Sequence, residues 1–305
     1  MRRSWLAHHL PADPGLAEAD RRAAALGPTA HATLLAASDR LAEVSPLLAR
    51  RAYRHAAGAW ERFGADGWRR WLGFGEAVAT AAPACREGAL AYFAVPPAEL
   101  GDADAAASWC ALGREVARVS RRLATAFFER TAPMLRRPDG MERLHAWVAA
   151  GLALHEARGW RGAFLAQAYF EAAPAALAGL GPGDYEPWAE TGAALAGEAE
   201  ERTFFTTLPD GLAEWTAEER ALFLATTRAL AAASPRQARI LYRELPPALG
   251  KLPADARAAL LRALARIDPR LAAPLAEFTP VAGAVLAEVP SGERLSVWTT
   301  YTGRP

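Results

Sequence analysis

The chain has 305 residues, 52% of them apolar and 23% charged, and a net charge of +1. A balance this near neutrality gives no field that would draw nucleic acid or an anionic membrane. No window approaches the roughly 18 apolar residues of a spanning helix, and the start MRRSWLAHHL lacks the apolar core of a secretory signal. A cytoplasmic protein is expected. One lysine (Lys251), two isoleucines (Ile240, Ile267) and no asparagine point to GC-rich bacterial coding. Cys85 and Cys110 are too few for a disulfide framework and lack metal-ligand spacing, so buried, idle thiols are expected.

Residues 1–28 read as an N-terminal arm punctuated by PADPG and LGPTA. Residues 29–63 read as an N-terminal helical segment, in which Ser45–Pro46 marks a helix start, Ser as cap and Pro in the first turn. GADG closes it, and residues 64–305 repeat a module.

Two markers carry the repeat. WLGFG, WCALG, WVAAG and WAETG place Trp four residues before Gly, at Trp71/Gly75, Trp109/Gly113, Trp147/Gly151 and Trp188/Gly192. The slot continues as Phe223/Thr227, Leu261/Ala265 and Trp298/Thr302, at intervals of 38, 38, 41, 35, 38 and 37. The second marker is an aromatic pair ahead of a proline: YFAVPPAEL, FFERTAPML, YFEAAPAAL, FFTTLPDGL, LYRELPPAL and, loosely, LAEFTPVAG. Its prolines are Pro97, Pro133, Pro174, Pro209, Pro246 and Pro280. Self-similarity at this period belongs to stacked repeats.

Each module reads as a first helix with the Trp, a second with the aromatic pair, and a short piece begun by the Pro. The Pro either ends one helix and starts another or kinks a single helix. Trp and Gly four apart share a helical face. A helical Gly costs about 1 kcal/mol against Ala, while a buried indole covers about 150–250 Å², worth several kcal/mol. The glycine is expected to make room for an indole or a neighbouring helix. The fold expected is all-α, a right-handed α-solenoid of about six TPR-like repeats of 35–41 residues, with no sheet, continuous with residues 29–63.

Motifs for chemistry are scarce. Lys251 follows Gly250 without a phosphate-loop pattern. GLGPGD (179–184) joins two helices and reads as a turn. His145 and His155 lie ten apart on one helix and do not converge, HEARG from His155 lacks the second His of a zinc motif, and His8 and His9 lie in the arm. Glu99, Asp102 and Asp104 read as complements to a helix N-terminus. The twin arginines (Arg50–Arg51, Arg69–Arg70, Arg121–Arg122, Arg136–Arg137) and the row Arg114, Arg118, Arg121, Arg122 read as solvated faces, with a patch for an acidic partner as the functional alternative. Phe93, Phe170, Phe205 and Tyr242 recur at the module period and read as core, not a stacking platform. No catalytic, cofactor-binding, metal or partner-binding residue is assigned.

WCALG fits the W-x2-L-G start of a tetratricopeptide repeat, but the Trp slot returns 12 to 18 residues after the Pro, longer than in that family. The unit WVAAGLAL…AYFEAAPAALAGLGPGDYEPWAETGAALAG resembles the helical-repeat region of bacterial NorD/CbbO-type proteins, over roughly residues 64–300. That resemblance implies an interaction scaffold without catalysis or cofactor. Its partner would be a MoxR-type AAA+ ATPase or a von Willebrand factor A domain protein, in an enzyme activation or assembly complex. The DxSxS metal motif of such A domains is absent from the chain. A helical-repeat nucleic-acid binder of the DNA-glycosylase kind and an α-helical enzyme are the alternatives. SVWTTYTGRP at the end reads either as a polar cap or as part of a longer protein.

Overall fold

The computed structural model describes residues 5–9, 12–80, 85–157, 159–196, 204–205 and 208–266. Among them there are α-helices and short 3-10 turns and no strand. The chain divides into two compact units between Val148 and Ala149.

In the first unit, α1 spans Trp5–His9 and α2 spans Pro14–Ala25. Asp13 caps α2, accepting from the N–H groups of Gly15 (3.0 Å) and Leu16 (3.2 Å). The arm expected over residues 1–28 is therefore, over residues 14–25, a helix that buries Leu16, Ala19 and Ala23 and packs on both α3, Pro28–Val44, and α4, Pro46–Thr80. Leu16, Ala19 and Ala23, spaced three and four apart, fall on one helical face. α3 ends at Ser45, whose N–H reaches Leu41 O at 2.9 Å, and α4 starts at the anticipated Pro46.

α4 is broken at Gly64, with φ +71° and ψ 179°, a backbone state open essentially only to glycine. The first sequence module, counted from Gly64, follows this break. Its first helix is the second limb of α4, carrying Trp71, and its second is α5, Arg86–Ala94. The next module is α6, Ala103–Val119, and α7, Arg121–Thr131. α5 packs on α4 and on α7, and α6 packs on α4 and α7. α8, Gly140–Ala157, follows and crosses the boundary between the units.

In the second unit, α9 is Gly159–Glu171, α10 is Ala173–Gly179 and α11 is Tyr185–Leu195. α12 (Ala217–Ala233), α13 (Pro235–Leu249) and α14 (Ala254–Ala265) complete it. α12 packs on α11, α13 and α14. The Pro280 and Trp298/Thr302 markers and Ile267 lie outside the described residues.

The prolines behave in two ways. Pro97 opens the 3-10 turn Pro97–Glu99, Pro133 lies in the 3-10 turn Ala132–Arg136, and Pro174 lies in the first turn of α10. Pro246 and Pro247 instead lie inside α13, which continues to Leu249. After Pro209 a 3-10 turn forms at Leu212–Glu214. The short third piece is thus a separate element in the earlier modules and a helical extension in the module of α13.

The glycine of each Trp–Gly pair accommodates the second ring of the aromatic pair in the same module. A β-carbon at Gly75 would lie 2.1 Å from Phe93, and one at Gly113 2.1 Å from Phe128. At Gly151 it would meet Phe170 at 2.6 Å, and at Gly192 Phe205 at 2.3 Å. The indole stands edge-on to that same ring: Trp71 to Phe93 at 5.1 Å, Trp109 to Phe128 at 5.0 Å and Trp188 to Phe205 at 5.1 Å, with interplanar angles of 75–87°. The edge-to-face arrangement satisfies the ring quadrupoles. The first ring of each pair reaches forward. Tyr92 lies 5.6 Å from Trp109 and 5.7 Å from Phe128, and Tyr169 lies 5.7 Å from Trp188 and 5.8 Å from Phe205.

Replacing Gly113 by Ala should therefore destabilise the protein by about 1–3 kcal/mol despite the higher helix propensity of Ala, because the methyl group collides with the Phe128 ring. Gly73, two residues after Trp71 in α4, has nothing within 4 Å of a built β-carbon. Gly73→Ala should accordingly stabilise by about 0.5–1 kcal/mol. Urea melts of the two variants, with opposite signs of change, check the assignment.

Candidate functional site

The recurring rings are core, as read from their period. Trp71, Trp109, Trp147, Trp188, Phe93, Phe128 and Phe170 are among the most deeply buried large side chains, and Phe205 is fully buried too. Some of their polar atoms are used internally, whereas Trp71 Nε1 is buried without a hydrogen-bond partner among the described residues. Trp109 Nε1 donates to Thr131 Oγ1 at 2.8 Å, and Trp188 Nε1 donates to the Tyr242 hydroxyl at 2.9 Å. The Tyr92 hydroxyl donates to Trp71 O at 3.0 Å. Burial pushes the Tyr92 and Tyr169 hydroxyls well above their ordinary value.

The two thiols are buried. Burial raises Cys110 to about 12, against a smaller lowering by Arg114. Burial also raises Cys85, whose Sγ donates to Arg121 O at 3.6 Å. Neither has the lowered pKa of a nucleophile. His145 is exposed and His155 half-buried on α8. Among the described residues no three His, Cys, Asp or Glu converge as a metal site, and no helix is long and apolar enough to cross a membrane.

Asp102 caps α6, accepting from the N–H groups of Asp104 at 3.0 Å and Ala105 at 2.7 Å. Glu99 lies 3.7 Å from Arg136, and Asp104 lies 3.9 Å from Arg70. Each of the three carboxylates thus has a helix end or an arginine beside it. Several of the twin arginines are also accounted for: Arg50 binds Asp13 at 2.6 Å, Arg69 binds Asp66 at 2.8 Å and Arg137 binds Asp139 at 3.3 Å. Arg118, Arg121 and Arg122 are exposed, Arg114 is half-buried, and none of the four is in an ion pair among the described residues.

Sequence reading missed a buried ionic network in the second unit. The GPGD turn places Asp184 against Arg220, with Arg220 Nε donating to Asp184 Oδ2 at 2.7 Å, and Arg220 also donates to Trp215 O. Glu219 accepts from Arg257 Nε at 2.7 Å and Nη2 at 3.2 Å, and from Thr216 N–H at 2.8 Å. The Arg257 guanidinium lies 5.6 Å from the Trp215 ring centre. Asp184, Glu219 and Arg220 are all at most 9% exposed. The signal was present: Asp184, Glu219 and Arg257 each stand four residues before the Trp slot, at Trp188, Phe223 and Leu261.

The second unit also holds an open groove of 590 Å³. Phe204, Leu208 and Ile240 supply its apolar floor with Tyr242, and Arg236, Arg239 and Arg243 of α13 stand around it with Asp210. Arg239 Nε donates to Leu195 O at 2.9 Å, and Arg243 pairs with Glu244 at 2.7 Å. The Tyr242 hydroxyl is raised by burial, less the effect of the Trp188 indole. This groove, and not a constellation of acids and bases, is the candidate site. No protein-family model, curated protein or solved structure matches the chain.

Burial raises the Glu219 carboxyl, but the bonds from Arg257 and the Thr216 N–H outweigh it and hold the pKa below the ordinary 4.5. A depressed folded-state pKa contributes stability above the unfolded value and loses it as pH falls through the folded value. Glu219→Gln should therefore destabilise at neutral pH, and its gap from the native protein should narrow below about pH 4.5. Urea midpoints measured from about pH 6 to about pH 3 would show this convergence.

Proposed function

We propose that the chain is a non-catalytic helical-repeat scaffold whose modules stack as a right-handed α-solenoid and present a surface to a protein partner. The observation that carries this reading is the repeated contact set: second ring on glycine, indole edge-on to that ring, first ring against the next module. A repeat that packs its indoles and seated rings against one another leaves the outer helix faces for partners. Ion pairs between residues one module apart, Asp184–Arg220 and Glu219–Arg257, support the same reading.

In a solenoid each module is stabilised chiefly by its neighbours. Trp188→Ala should raise hydrogen exchange in α9, α11, α12 and α13 while leaving α2 to α4 slow. Uniform loss of protection along the chain would argue for one cooperative globule instead.

The similarity of the module to NorD/CbbO-type repeats suggests an ATPase-linked activation or assembly complex, with a MoxR-type AAA+ ATPase or a von Willebrand factor A domain protein as partner. Affinity purification of the full chain from its native host, with and without ATP, is the test. A AAA+ ATPase recovered in a nucleotide-dependent way is the expected result. A partner set that contains no ATPase and does not respond to nucleotide would overturn the ATPase link.

A further inference from the structure

We propose that α2 is a strap, fastened to α3 and α4 by charged and hydrogen-bonded contacts where later helices use rings, and that it opens as a unit when those contacts are weakened. This goes beyond the scaffold reading and does not depend on which partner the scaffold takes. The apolar hold of α2 is small: among its twelve residues Leu16, Ala19 and Ala23 are buried, and only Leu16 is large. α7, with eleven residues, buries Leu123, Phe127 and Phe128. Hydrophobic stabilisation follows the apolar area removed from water, so two helices of nearly equal length are held by different means.

Polar bonds run along α2 instead. At its head Asp13 accepts from Arg50 Nε at 2.6 Å and from Arg54 Nη2 at 2.9 Å. Further along, Asp20 Oδ1 accepts from the Tyr53 hydroxyl at 2.7 Å and lies 2.8 Å from His31 Nε2. Arg22 donates to Glu61 at 2.9 Å. Asp13 does two things at once, since the same carboxylate caps α2 through the Gly15 and Leu16 N–H groups. Burial raises its pKa, but the Leu16 N–H and the two arginines outweigh this and hold it below the ordinary 3.8. The Arg50 and Arg54 side chains are 44% and 37% exposed, and those of Arg22 and Glu61 are exposed too, so dissolved salt reaches these pairs. The joint behind α2 is open as well: Gly27, at φ +100°, has nothing within 4 Å of a built β-carbon. A lone helix of this length is marginal in water, so an unfastened α2 unravels and frees Arg50, Tyr53 and Arg54 of α4. Ordering and release of one segment is a recurring switching device.

Hydrogen–deuterium exchange of the full chain, read by mass spectrometry, tests the strap. Raising NaCl to about 1 M should speed exchange in residues 14–25 by about fivefold or more, while α6 and α7 change by less than about twofold. Asp13→Ser separates fastening from capping, because serine caps a helix about as well as aspartate but carries no charge for the arginines. It should speed exchange in residues 14–25 by about tenfold or more at low salt and leave α6 and α7 unchanged. Arg50→Gln/Arg54→Gln removes the same ion pairs from the α4 side and should act alike.

Native exchange of residues 14–25 in Asp13→Ser, or in high salt, would show that the cap and the apolar face hold α2, and would overturn the proposal. So would exchange that rises equally in α2, α6 and α7, which would make α2 part of one cooperative body. The first outcome leaves the ring contacts, and with them the scaffold reading, as they stand; the second counts against both.

Discussion

The seat of an aromatic ring on a glycine organises this protein. On α4, α6, α8 and α11 a glycine one turn beyond the tryptophan leaves a gap that the ring from the following helix fills. Helix spacing is governed by the side chains at the contact, so removing a β-carbon there draws the two helices together. The tryptophan then packs edge-on against the seated ring, and the first ring of the pair is left to face the next module. One small residue thus sets the spacing within a module and aims the aromatic that joins it to the next.

The arrangement relaxes along the second unit. At the Phe223 slot the glycine becomes Thr227, which is buried with its hydroxyl turned back to Phe223 O at 2.8 Å. A threonine cannot seat a ring in the same way, and Tyr242 lies stacked on Phe223, 5.8 Å away at 19°, while also meeting Phe204 at 4.4 Å. The pattern also extends in the other direction. Leu34 and Ser38 of α3 precede Trp71 and Gly75 by 37 residues, and both are buried. The segment before Gly64 thus continues the sequence pattern, with Leu34 where later modules have an indole and Ser38 where they have glycine.

Much of this was legible in the sequence because two markers with different chemistry ran in phase. Helical class and the burial of Phe93, Phe170 and Phe205 followed from spacing, the Ser45–Pro46 start from capping chemistry, and the end of the segment near Gly64 from the GADG turn. The partner of the glycine was not legible. Spacing four apart says that Trp and Gly share a face, not which ring from another helix arrives there. The behaviour of each proline was also hidden, since Pro174 starts α10 while Pro246 lies within α13, and local sequence admits both. Residues 14–25 were misleading because PADPG reads as punctuation, although Asp13 uses that turn to cap a helix and bind Arg50 and Arg54. The candidate groove left no motif, because Phe204 and the arginines of α13 come together only through folding.

Several of the ionic cross-links share a direction, although Arg22–Glu61 and Arg70–Asp104 run the other way. In Asp13–Arg50, Glu99–Arg136, Asp184–Arg220, Glu190–Arg228 and Glu219–Arg257 the acid comes first and the base about one module later. A charge left alone in the interior is costly, so exchanging the segments joined by the two buried pairs, Asp184–Arg220 and Glu219–Arg257, would strand an acid or a base at the joint. The order of these two joints is thereby written into the chain: an acid on the earlier segment must find its arginine on the later one.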